Sequence, residues 1–148
     1  MITNVTIIST NINKGILNNY KNYHIIYSSF NYEELLQYKN VIFFNVLSNL
    51  ESENIKKLYE YLRFNNINFI NLTNNVEEVM YTDYLVVYDK EKVLIEGNTI
   101  EVLKNEKLLR RLGIKIPFII DLSLLLKDYN LINKIYLDKE SLVGDLWK

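Results

Sequence analysis

The residues that could do chemistry in this chain stand where its apolar runs stop. The run at 41–44, "VIFF", leads into Asn45 and Val46, and an amphipathic segment with capping residues follows. Many nucleotide-hydrolysing α/β proteins place two carboxylates at such a strand end, one for the metal and one to polarise the attacking water. Asn45 offers a neutral amide, a weaker ligand for a hard cation, and Val46 can do no acid–base work. Lys14 follows the run at 5–9, and Asn74 and Asn75 follow the run at 68–72. Each has an ordinary reading: asparagines cap helices and occupy turns, and Lys14 is a solvated lysine in a first helical turn. His24, the lone histidine, reads as a strand residue between Tyr23 and Ile25. With no cysteine in the chain, it makes no zinc site, and disulfides are excluded.

The elements that must hold these residues alternate. Short apolar runs at 5–9, 23–28, 41–45 and 68–72 read as strands, each followed by a turn or a helical period. That alternation predicts a parallel α/β sheet with crossover helices. The segment 51–64 places Ile55, Leu58, Tyr59 and Leu62 on one helical face, with Ser48 and Glu51 at capping-box spacing ahead of it. A second helix is expected after Thr73, capped by Asn74 with Glu77 or by Asn75 with Glu78. The segment 31–39 joins two strands directly. At 84–96 an antiparallel hairpin is expected around a tight turn at 89–92. Beyond Thr99 the chain reads as helical: one helix ending near Gly113, one with Pro117 in its first turn, and a last one capped by Asp138. The division expected is a core over 1–98 and a helical extension over 99–148.

Composition narrows the function. A chain of 148 residues is one domain's worth and buries a proper core. The formal net charge of −1 gives no electrostatic footprint for nucleic acid or an anionic membrane surface. No basic segment followed by an apolar run opens the chain, and the longest apolar stretch, 116–126, is broken by Pro117 and Asp121. A cytoplasmic protein without direct membrane insertion is expected. Alanine is absent while Asn, Ile, Lys and Tyr abound, a skew toward AT-rich codons. Under that bias Asp→Asn, Glu→Val and His→Asn are single-base changes.

Residues 40–148 resemble the second half of an ABC-transporter ATPase, above all of the energy-coupling-factor and cobalt-type branch. "VIFFNVLSNLE" is similar to that family's strand ending Asp-Glu-Pro-Thr and the loop after it. "NFINLTNNVEEV" is similar to its strand ending Thr-His-Asp, "DYLVVYDKEKVLIEG" to its strand pair, and the chain from "NTIEVLKNEKLLRRLG" to "LDKESLVGDLW" to its C-terminal extension. The resemblance implies a reduced P-loop-NTPase-like sheet. It also implies that Asn45 replaces the magnesium aspartate, Val46 the catalytic glutamate and Asn74 the switch histidine. In the first forty residues a phosphate loop needs glycines, a lysine and a hydroxyl. Lys14 matches the lysine only with a gap, Gly15 then takes the hydroxyl position, and Ile12 stands where a glycine is expected. The helical subdomain that family members insert near 31–39, with its Leu-Ser-Gly-Gly-Gln signature, is missing. A degenerate pseudo-ATPase without catalytic residues, metal or cofactor is expected.

The extension carries the positive expectation. Phe118, Leu122 and Leu125 lie among apolar residues covering more than one helical face, and Leu142, Leu146 and Trp147 end the chain in the same character. The resemblance implies association there, as a homodimer or with an intact ABC-type ATPase subunit. Folding back onto the chain's own sheet is the plain alternative for these helices. The function expected is an inactive interaction or regulatory module tied to a transporter system. Its alternatives are a reduced subunit that still binds ATP and magnesium, or a small α/β ligand-binding module unrelated to transport.

Overall fold

The computed structural model describes residues 3–147. Six strands form one sheet: β1 (Asn4–Ile8), β2 (His24–Ile26), β3 (Asn40–Phe44), β4 (Asn68–Thr73), β5 (Tyr84–Asp89) and β6 (Lys92–Asn98), in the order β2-β3-β4-β1-β5-β6. The first five run parallel, with Val41 opposite Phe69 and Val5 opposite Ile70, so β4 lies between β1 and β3. Only β6 is antiparallel, joined to β5 by a two-residue turn. Lys90 and Glu91 hold φ of 50° and 63° there, the left-handed pair that matches the twist of a hairpin. The strands fall where the apolar runs predicted them, except that β2 stops at Ile26 and leaves Tyr27 and Ser28 outside.

Side chains alternate across the sheet and are covered on both faces, the condition for a parallel sheet. On one face Val41, Phe43 and Phe69 pack with Ile55, Leu58, Tyr59 and Leu62 of α2 (Ser52–Phe64). On the other, Ile7, Ile42, Ile70, Leu72 and Val86 enclose Ile16 from the 3-10 turn Lys14–Asn19.

Local chemistry departs from expectation at three places. Ser48 forms no capping box with Glu51: Glu51 is itself the N-cap of α2 and its side chain caps nothing. The helix expected after Thr73 is a 3-10 segment, Val76–Tyr81, in which Asn75 accepts from the Glu77 amide at 3.1 Å. Segment 31–39 is not a bare link, because Asn31 caps the single turn α1 (Tyr32–Leu35) by accepting from the Glu34 amide. Asparagine also does what glycine does elsewhere. Asn66, at φ 56°, ends α2 in a Schellman motif: its amide donates to Arg63, and the Ile67 amide donates to Leu62.

Contacts divide the chain into two compact units, Met1–Val102 and Leu103–Lys148. The single helix expected from Thr99 to Gly113 is two, α3 (Thr99–Leu103) and α4 (Glu106–Arg111). Gly113, at φ 79°, closes α4 with a Schellman motif in which the Ile114 amide donates to Leu109. Pro117 is the N-cap of α5 (Phe118–Asp128), and Asp138 caps α6 (Lys139–Leu146) by accepting from the Ser141 amide at 2.8 Å. Arg110 of α4 pairs with Asp121 of α5, and the Tyr136 hydroxyl donates to Asp145 at 2.6 Å.

Candidate functional site

Ligands of open parallel sheets gather at the carboxyl ends of the strands, so those ends come first. The loop after β1 is short and closed on itself. Ser9 Oγ accepts from the Asn11 amide at 3.2 Å, Asn13 Oδ1 accepts from the Gly15 amide at 2.9 Å, and the Ile16 amide donates to the Asn13 carbonyl. These amides are committed within the loop. Lys14 is exposed, and its Nζ stands 5.7 Å from the centre of the Tyr27 ring. Ile12 is half-buried against the core beneath.

At the end of β3, Asn45 turns left-handed at φ 53° and its amide donates to the Leu72 carbonyl of β4 at 2.7 Å. That conformation suits Asn and is strained for a β-branched residue. Val46 is half-buried against the core. Both line a cleft of about 570 Å³ with Tyr27, Phe30, Tyr32 and Asn54. Each ring of this wall is braced from behind: Tyr27 by Phe44 at 5.2 Å, Phe30 by Phe43 at 5.2 Å and Tyr32 by Tyr61 at 4.8 Å between centres. Asn74 is exposed beyond β4 and does not line the cleft. His24 stacks flat on Tyr38, 3.8 Å apart, and does not line this cleft, although it shares an adjoining hollow with Tyr27 to Phe30. Sequence reasoning missed Tyr27 to Phe30, which it ran into or past the strand. The available signal was Ser28–Ser29, a weak place for a strand to continue.

A second polar cluster lies beneath Val76–Tyr81. Glu78, read from spacing as a capping residue, is buried and accepts from Asn71 Nδ2 and Thr73 Oγ1, both at 2.9 Å. Thr6 of β1 and Thr82, which follows Val76–Tyr81, share a hydroxyl contact of 2.6 Å. Burial, reinforced by the Glu78 carboxylate, pushes the Tyr59 hydroxyl well above the ordinary phenol range. Among the described residues no group of three His, Cys, Asp or Glu could hold a metal ion, and no helix is long and apolar enough to cross a membrane.

In the second unit the expected interface residues separate. Phe118 and Trp147 are 71% and 83% exposed, and Leu125 and Leu146 are exposed as well. Leu122 is half-buried. Leu142, expected among the surface contacts, is 2% exposed and supports α6 from inside the chain. Positions 118, 122, 125 and 129 form one stripe along α5, continued by the exposed Tyr129.

The fold and this site define an α/β protein similar, over part of its length, to the ATP-binding subunits of ABC transporters. It is 32% identical over 85 residues to the energy-coupling factor transporter ATP-binding protein EcfA1 of Lactobacillus delbrueckii, covering 57% of this chain and 30% of that one. It is 28% identical over 112 residues to EcfA1 of Mycoplasma mobile, covering 73% and 39%. EcfA1 of Bacillus subtilis is 34% identical over 76 residues, 51% of this chain and 27% of that one. The chain thus spans about a third of the length of these relatives. The solved cbiO1 of Clostridium perfringens, part of the ABC transporter complex cbiONQ, overlaps with a TM-score of 0.43 and 26% identity, covering 52% of this chain and 33% of that one. No protein-family model matches the chain.

Proposed function

We propose that this chain is a catalytically inactive, ABC-ATPase-like module that works in the cytoplasm by associating with a second copy or with an intact ATPase subunit of a transporter. The observation that carries the reading is the loop after β1. Its Asn11 and Gly15 amides already donate to Ser9 and Asn13, so they are not free to wrap a phosphate. Asn45 and Val46 at the end of β3 supply neither a carboxylate for magnesium nor a base, and loss of a base alone removes about 10²–10⁴ in rate. The module on this reading needs no cofactor. The α5 stripe of Phe118, Leu122, Leu125 and Tyr129 supports association, with Leu146 and Trp147 as further exposed apolar residues.

Two experiments test it. Purified protein is expected to release no phosphate from ATP, and Asn45→Asp with Val46→Glu is expected to restore none, because the loop stays closed. Calorimetry showing magnesium-dependent ATP binding in the low micromolar range would overturn this half. It would favour the second reading, a reduced ATP-binding subunit, which the names of the relatives support. Light scattering tests the other half. A dimer that Leu125→Asp dissociates in a still-folded protein is expected. A monomer at every concentration, with no binding to a co-purified ATPase subunit, removes the association.

A further inference from the structure

We infer that the cleft beyond β2 and β3 is a binding site for an uncharged planar heteroaromatic ligand of nucleoside type. This goes beyond the association proposed above and does not rest on it. Three features of the cleft carry the inference.

The first is its walls. Tyr27, Phe30 and Tyr32 each present a ring braced by another aromatic side chain, Phe44, Phe43 and Tyr61. The Tyr61 hydroxyl also donates to the Tyr32 carbonyl at 3.2 Å. Tyr27 nevertheless stays 51% exposed and Tyr32 39%. Exposed rings packed against a second ring are partly preorganised platforms for a flat ligand. The second is the polar lining, in which Asn45, Asn49 and Asn54 each carry a donor and an acceptor on one amide. Such an amide matches the paired donor and acceptor on a base edge. A wholly apolar ligand would strand these amides and the Ser28 and Ser29 hydroxyls away from water.

The third is charge. Neither Lys, Arg, Asp, Glu nor His lines the cleft. One cation, Lys14 at the Tyr27 ring, stands beside the cleft, which leaves most of a triphosphate's charge uncompensated, and a nucleic-acid strand would find no basic groove for its backbone. The volume of about 570 Å³ falls within the range of small-molecule sites, and the cleft lies at the carboxyl ends of β2 and β3. The ligand is therefore recognised by its ring and edge and not by phosphate.

The isotope-labelled chain of 148 residues titrated with adenosine, guanosine, cytidine and uridine tests this. At least one nucleoside is expected to shift the amides of Ser28, Ser29, Asn45 and Asn49 before any others. ATP is expected to bind no tighter than the matching nucleoside, with or without magnesium. Tyr27→Ala should weaken binding about tenfold. Asn54→Trp, an exposed change that fills the cleft from α2, should abolish binding with the melting temperature unchanged, and it decides the matter if Tyr27→Ala does not fold. No shift with any nucleoside at millimolar concentration, shifts centred elsewhere, or full binding by Asn54→Trp would each overturn the inference. So would ATP binding more than about tenfold tighter than the nucleoside, because phosphate would then carry the recognition.

Discussion

Two polar clusters sit on the same sheet, one sealed beneath Val76–Tyr81 and one open beyond β2 and β3. Both are built from asparagines, hydroxyls and tyrosines. In the sealed cluster Asn71 and Thr73 are turned onto the Glu78 carboxylate, and solvent is shut out. In the open one Asn45, Asn49 and Asn54 line a cleft at the surface, and the rings beside them are braced but exposed. The difference is one of cost. A buried polar group left without its partner loses the full desolvation energy, whereas an exposed one falls back on water. In the sealed cluster the Tyr59 hydroxyl and Asn71 Oδ1 find no partner, so its stability rests on the two bonds to Glu78, whereas the open one is free to serve a ligand.

The largest test of that contrast is Glu78→Ala. It removes two hydrogen bonds to a buried carboxylate and strands the Asn71 amide, so a loss of about 3 kcal/mol is expected, a fall in Tm of roughly 10 °C. A loss below about 1 kcal/mol in urea denaturation would mean that the sealed cluster is not a stabilising device.

Alkaline titration sharpens the same point. The Tyr59 hydroxyl is held up by burial and then by Glu78, so the folded protein keeps a proton that the unfolded chain loses near pH 10. Its contribution is whole below that pH and is lost as pH rises above it, by up to about 1.4 kcal/mol for each pH unit. The Tm of the wild type should fall steeply above about pH 10. In Tyr59→Phe it should fall less steeply, though not stay level, because burial also raises Tyr20 and Tyr23. Parallel falls in the two proteins would show that Tyr59 ionises without cost.

On the open side the effects are smaller. Asn45→Ala is expected to cost about 1 kcal/mol for its left-handed backbone, and Asn45→Gly close to nothing. Equal losses from both, read in the same urea titrations, would mean that the Asn45 amide stabilises the fold itself. Asn49→Ala should stay within about 0.5 kcal/mol, as for an exposed residue without a partner in the fold. A larger loss would blur the distinction between the two clusters.

Much of the architecture is legible in the sequence. The four parallel runs, the hairpin turn at Lys90–Glu91, the buried face of α2 and the Asp138 cap follow from period and from the chemistry of turns. Those are local properties, carried within one or two helical turns of chain. The cleft was less legible. Asn45 and Val46 stand out in the sequence, but for the groups they lack, and Tyr27 to Phe30 read as the end of a strand and its sequel.

The sequence by itself determined the strand and helix periods, the absence of carboxylates at positions 45 and 46, and the hydrogen-bonding types available at each strand end. Tertiary structure alone decided which polar residues are sealed and which are open. Glu78 has the spacing of a capping residue, yet it turns inward because β4 presents Asn71 and Thr73 on the face that Val76–Tyr81 covers. Phe118 and Leu125 have the hydrophobicity of a core and remain exposed, while Leu142 is buried. The physical reason is that periodicity reports how side chains are arranged about their own element. Burial is set by what a distant part of the chain lays over that element, and no local pattern encodes this.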